Sequence, residues 1–128
     1  MKNFKDTVEE FYSLIQNNKF IEAVDKFYDQ NIISTDNSSE PTKGIENFRK
    51  SVENFIANSE VEKLELLSTI VEENLSVAHW HYIFTNKMFG KLDYKQISVQ
   101  RWKEGKIIQE NHFYYHTTQI LDNNCINV

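Results

Sequence analysis

The chain has 128 residues, a formal net charge of −5, 40% hydrophobic and 13% aromatic residues, and only three glycines and one proline. That is enough apolar material for one domain with its own core, and it argues against disorder, while the negative balance excludes the basic patch that nucleic acid or an anionic membrane surface requires. A single cysteine, Cys125, forms no internal disulfide, the N-terminal "MKNFKDTVEEFY" carries acids where a secretion signal needs an apolar run, and no stretch is apolar enough to span a bilayer, so the expected location is the reducing cytoplasm.

The first elements along the chain read as helices. Phe4, Val8, Phe11 and Ile15 recur at helical spacing, with Tyr12 and Leu14 at the edge of the stripe. "QNNK" breaks that helix, and Asn18 is a candidate N-cap for the next, which carries Phe20, Val24 and Phe27. "NIISTD" then reads as extended and "NSSEPTKG" as a polar loop. Ile45, Phe48, Val52, Phe55 and Ile56 pattern a third helix.

From about Val61 the period changes from helix to strand. "KLELLSTIVEE", "SVAHWHYIFTNKM", "KLDYKQISVQRW" and "KIIQENHFYYHTT" are rich in β-branched and aromatic residues and are separated by hairpin-sized breaks. "LELLSTIV" taken alone also suits a helix. Helices first and a meander second give α+β, three helices packed on one face of a curved antiparallel sheet. One domain is expected over 1–128, with its core over about 4–118 and a tail over 119–128.

Loop lengths set which side chains share a face. A two-residue turn at Phe89-Gly90 places His81 opposite Ser98 and His79 opposite Gln100. A three-residue loop, Lys103-Glu104-Gly105, places Trp102 opposite Lys106 and Ser98 opposite Glu110. One face then holds His79, His81, Ser98, Gln100, Glu110 and His112, with Trp102 and Tyr114 among them. The other holds Trp80, Tyr82, Phe84, Ile97, Val99, Ile107 and Phe113. On patterning alone the polar face is the wet one.

Three stretches bring a family into view. "FYSLIQNNKFIEAVDKFYDQNIISTD", "SSEPTKGIENFRKSV" and "ISVQRWKEGKIIQENHFYYH" follow one another as helices into an acid-ending extended segment, a loop with glycine and a third helix, and a hairpin with an aromatic strand. In that order they resemble the nuclear transport factor two-like superfamily, in particular its SnoaL-like and ketosteroid isomerase-like branches. The resemblance implies a cone: a strongly curved sheet around the helices, a pocket inside, and an outer apolar sheet face that mates with a second copy. It turns the polar face inward, as the pocket lining, and makes Trp80, Phe84, Val99 and Phe113 the expected dimer surface.

The resemblance also implies roles. Tyr12 and Asp36 match the tyrosine and aspartate of the ketosteroid isomerase-like branch, where the acid abstracts a proton and the phenol donates to the oxyanion. Ser98 stands where that branch has a protonated carboxylic acid. His81 is added as a titrating neighbour, with His79, Ser98, Gln100, Trp102, Glu110, His112 and Tyr114 lining the pocket. A metal held by His79, His81, Glu110 and His112 is disfavoured, because a strand lies between the two pairs and separates them by roughly 9.5 Å at a strand spacing of about 4.8 Å. The expected activity is cofactor-free and metal-free proton transfer on a small oxygenated molecule, in an isomerase-, cyclase- or dehydratase-like step. The alternatives are a ligand-binding module without turnover and a protein-interaction dimer.

Overall fold

The computed structural model describes residues 3–114. Helix α1 (Phe4–Gln16) starts at Asn3, whose side chain accepts from the Asp6 N–H at 2.8 Å, and it buries Val8, Phe11 and Tyr12. Asn18 does not cap α2. It takes a positive φ of 60° and ends α1, so α2 (Phe20–Phe27) begins at Lys19 without a side-chain cap. Strand β1 (Tyr28–Asp36) and the short β2 (Thr42–Lys43) follow, then α3 (Ile45–Asn58). Gly44, at φ 86°, makes the turn into α3 that a side chain would strain.

Four strands complete the described residues: β3 (Ser59–Glu72), β4 (Leu75–Asn86), β5 (Gly90–Lys103) and β6 (Lys106–Tyr114). "LELLSTIV" is therefore strand. The sheet order is β2-β1-β6-β5-β4-β3, and the architecture is α+β. The sheet is mixed rather than antiparallel throughout, because β1 pairs parallel to β6. Between those two strands the chain runs through α3 and four further strands, a return long enough to allow a parallel partner.

Two loop lengths differ from expectation, with opposite consequences. Asn86 pairs with Gly90, so the β4–β5 loop has the three residues Lys87, Met88 and Phe89. The Asn86 Oδ1 accepts the N–H groups of Met88 and Phe89, at 2.8 and 3.2 Å, and Gly90 has φ 77°. One extra residue reverses the parity of β4 against β5. His79 lies opposite Ile97 and His81 opposite Lys95, both on the outer face, while Trp80, Tyr82 and Phe84 turn inward. The β5–β6 loop has two residues, Glu104 and Gly105, and a bulge between Arg101 and Trp102 adds one residue back on β6. The two departures cancel, so Ser98, Gln100, Glu110 and His112 share a face. Ile107 passes to the inner side and is fully buried.

The helices cover that inner face. Trp102 is ringed edge-on by Phe4, Phe11 and Phe27, with centroids 5.6 to 5.9 Å apart, and Tyr12 meets Trp80 in the same way. Burying side chains of this size contributes roughly 1.5–3 kcal/mol each before the entropy of ordering them is counted. The outer face keeps Ile33, Ile70, Ile97 and Phe113 exposed. The expected dimer surface is corrected accordingly: Trp80 and Phe84 belong to the core, whereas Val99 and Phe113 do face outward. Residues 115–128 of the expected core edge and tail, including Cys125, lie outside the described residues.

Candidate functional site

Helices over one face of a sheet leave a cavity of about 430 Å³ between α1, α3 and the inner strands, within the range that small organic ligands occupy. Its floor is buried. Tyr12 donates to the Gln100 Oε1 at 2.7 Å, and the Ser76 hydroxyl donates to the same oxygen at 2.8 Å while accepting the Trp102 indole N–H at 2.9 Å. The Gln100 amide nitrogen donates in turn to the Glu110 Oε2 at 2.8 Å. Every link is a period-two consequence: Ser98, Gln100 and Trp102 alternate inward on β5, Glu110 and His112 on β6.

Glu110 is 2% exposed and accepts three donors. The Tyr28 hydroxyl reaches Oε1 at 2.7 Å and His112 Nε2 reaches it at 3.2 Å, while Gln100 holds Oε2. The other imidazole nitrogen of His112 lies 2.8 Å from the Ser98 hydroxyl and 3.2 Å from the Gln96 amide nitrogen. Burial alone raises a carboxylic acid and lowers an imidazole. Here the attraction between the two groups and the hydrogen bonds to Gln100 and Tyr28 overcome burial, so Glu110 sits below its ordinary pKa and His112 above. The two groups thus favour each other's charged forms, and together they place little net charge on the wall.

Asp36 ends β1 beside His112 in the parallel register and lines the cavity at its exposed side, with Ser39 and Glu40. The Tyr114 hydroxyl approaches Asp36 Oδ2 at 3.4 Å. Tyr114 stacks on Tyr94, centroids 5.0 Å apart, and Tyr94 contacts Tyr82 at 5.7 Å. Burial, reinforced by the charge of Asp36, pushes the Tyr114 phenol up to about 12. Burial raises Tyr82 and Tyr94 further, with Glu110 and then Asp36 adding to Tyr82, and the neighbouring Tyr82 and Tyr114 phenols and then Asp36 adding to Tyr94. At neutral pH all three phenols stay protonated, and the Tyr114 hydroxyl reaches the Asp36 carboxylate.

The expected site residues separate into two sets. Asp36, Tyr12, Ser98, Gln100, Glu110, His112 and Tyr114 line the cavity, and Trp102 lies beneath its floor in the aromatic core. His79 and His81 do not line it. His81 Nε2 pairs with Asp93 Oδ1 at 2.7 Å on the outer face, and His79 borders a shallow outer groove with Ile70 and Ile97. His112, not His81, contacts Ser98, and the loop length that decided this is signalled only by the Asn86 side chain. The same loop length hid Tyr82; Gln96 and Tyr94 continue the inward face of Ser98 and Gln100 without a motif of their own, and Tyr28 sits where helix passes into strand. Among the described residues no three His, Cys, Asp or Glu side chains gather as a metal site, and no helix is long and apolar enough to cross a membrane.

Comparison with known proteins follows this geometry. A family profile for the SnoaL-like domain matches residues 8–110. No functionally curated protein matches the chain. A Mesorhizobium loti protein, provisionally assigned as a SnoaL-like polyketide cyclase, superposes with a TM-score of 0.81 at 19% identity, covering 88% of this chain and 100% of that one. An NTF2-like protein of unknown function from Burkholderia pseudomallei gives 0.77 at 15% identity, covering 94% and 97%. A Mycobacterium tuberculosis LEH-like epoxide hydrolase gives 0.70 at 12% identity, covering 86% and 80%.

Proposed function

The chain belongs to the SnoaL-like family, within the nuclear transport factor two-like superfamily, and from that premise we propose that it is a cofactor-free proton-transfer enzyme acting on a small oxygenated organic molecule. The observation that carries this reading is the Asp36 carboxylate at the edge of the cavity, met by the Tyr114 hydroxyl, with the Tyr94 and Tyr82 rings continuing the same wall. Asp36 removes a proton from the carbon beside a carbonyl. The electron pair moves into the carbonyl, and the oxyanion is met by a phenol of Tyr114, Tyr94 or Tyr82. Asp36 then returns the proton to a different atom, which makes the step an isomerisation, or the enolate carbon attacks a second carbonyl, whose π bond opens onto an oxygen that takes the proton from Asp36, which makes it a cyclisation. Neighbours provisionally named as a polyketide cyclase and an isomerase support this class of chemistry.

Tyr12 takes a different part from the one its position suggests. Its hydroxyl is already given to Gln100, and burial raises its pKa. It fixes Gln100, which fixes Glu110, so Tyr12 is a positioning residue. The Glu110–His112 pair forms a polar wall that orients the ligand's oxygens.

A second reading, binding without turnover, is favoured by one observation: every polar atom of the Glu110 carboxylate and the His112 ring already has a partner within the protein. Deuterium exchange separates the two. A panel of small aryl and alkyl ketones is incubated with the protein in D2O and followed by proton NMR. Loss of α-proton signal above the buffer rate supports the enzyme. Saturable binding without exchange for any compound establishes the binding module.

The proposal includes a cytoplasmic location and a homodimer through the outer sheet face, on Ile33, Ile97, Val99 and Phe113. Light scattering at micromolar concentration is expected to give twice the chain mass. A monomer would remove the dimer and leave the cavity reading intact.

A further inference from the structure

The side chains around the cavity also restrict the charge of what enters it. Among the described residues, no lysine or arginine lines the cavity, whereas Asp36, Glu40 and Glu110 do. His112 is the single described lining residue that can carry a positive charge, and the Glu110 carboxylate faces it at 3.2 Å. A carboxylate or phosphate on the ligand would find no charge to answer its own and would be repelled by Asp36 and Glu40.

The wall beside Asp36 is aromatic and continuous. Phe84 meets Tyr94 edge-on at 5.8 Å, Tyr94 lies 5.7 Å from Tyr82 and stacks on Tyr114, and Tyr114 reaches the Asp36 carboxylate. Aromatic faces carry negative quadrupole potential and attract ammonium groups, more strongly where water is excluded. We propose that the ligand of this cavity carries a positive charge, an amine or quaternary ammonium group on the oxygenated skeleton, held between the Tyr82–Tyr94–Tyr114 rings and Asp36. This inference rests on the cavity being the ligand site.

Two consequences agree with it. A positive charge close to the reacting carbon offsets the negative charge that develops as Asp36 withdraws the proton, so the group that binds also assists the step proposed above. The field at the cavity rim has the required sign: the exposed carboxylates of Asp36 and Glu40 line it, and no lysine or arginine among the described residues stands beside them.

The test is calorimetric titration of the full chain with three probes of similar size: benzyltrimethylammonium, benzyl alcohol and phenylacetate. The cation is expected to bind about tenfold more tightly than phenylacetate and a few-fold more tightly than benzyl alcohol. Asp36→Asn should reduce binding of the cation and leave benzyl alcohol unchanged. Phenylacetate or benzyl alcohol binding as tightly as the cation overturns the inference while leaving the ligand cavity standing. No binding of any probe overturns both.

Discussion

Glu110→Gln, a change of one atom, is expected to lower the melting temperature by roughly 10 °C, from a cost of about 3 kcal/mol. The two Glu110 oxygens accept from Tyr28, Gln100 and His112, and all three partners are donors. A glutamine amide places an NH2 group against at least one of them, in a site 2% exposed to water. It also leaves His112 without its counter-charge. The penalty has a pH signature. Glu110 is held below its ordinary 4.5, so its contribution is present above that pH and lost as pH falls through the folded value. His112 is raised above its ordinary 6.5, so its contribution is complete below 6.5 and lost as pH rises through the folded value. The gap between wild type and variant should therefore be widest from about pH 4.5 to 6.5. Differential scanning fluorimetry across pH 3.5–9 reads both effects, and a gap within about 2 °C at every pH would show that the three donors find other acceptors.

Asp36→Asn is expected to do the reverse, sparing the fold and removing the chemistry. Asp36 is exposed, and an asparagine carbonyl still accepts from Tyr114, so the melting temperature should stay within a few degrees. Proton exchange in D2O should fall by more than about a hundredfold, the scale of a lost general base. A variant that exchanges within threefold of wild type would transfer the role of base to another group.

The order of elements was legible because each rests on local pattern. Val8, Phe11 and Ile15 repeat at helical spacing whatever surrounds them, and β5 alternates inward Gln96, Ser98, Gln100 and Trp102 with outward Ile97 and Val99. The facing of β4 was not legible, because it depends on a single residue of loop length. Phe89-Gly90 resembles a two-residue turn, but the Asn86 side chain closes a three-residue loop by capping Met88 and Phe89. Everything on β4 moved with it: His79 and His81 left the site, and Trp80, Tyr82 and Phe84 entered the interior. Glu110 and His112 on β6 share a face with Ser98 and Gln100 as expected through two compensating irregularities, a shorter turn and a bulge, whereas Ile107, between the two, moved inward; neither irregularity has a sequence signal beyond Gly105. The parallel pairing of β1 with β6, which brings Asp36 beside His112, depends on contacts some 76 residues apart and lies beyond any local rule.

The proposed ligand site shares space with His112 and not with His79 or His81. Nitrogen-15 chemical shifts of the imidazoles, recorded as the fastest-exchanging ketone of the panel is added to saturation, test this in one titration. His112, which bridges Glu110 and Ser98 at the cavity wall, is expected to shift, while His79 and His81 on the outer face stay where they are. Movement of His79 and His81 with His112 unchanged would contradict the account and place the ligand on the outer sheet face.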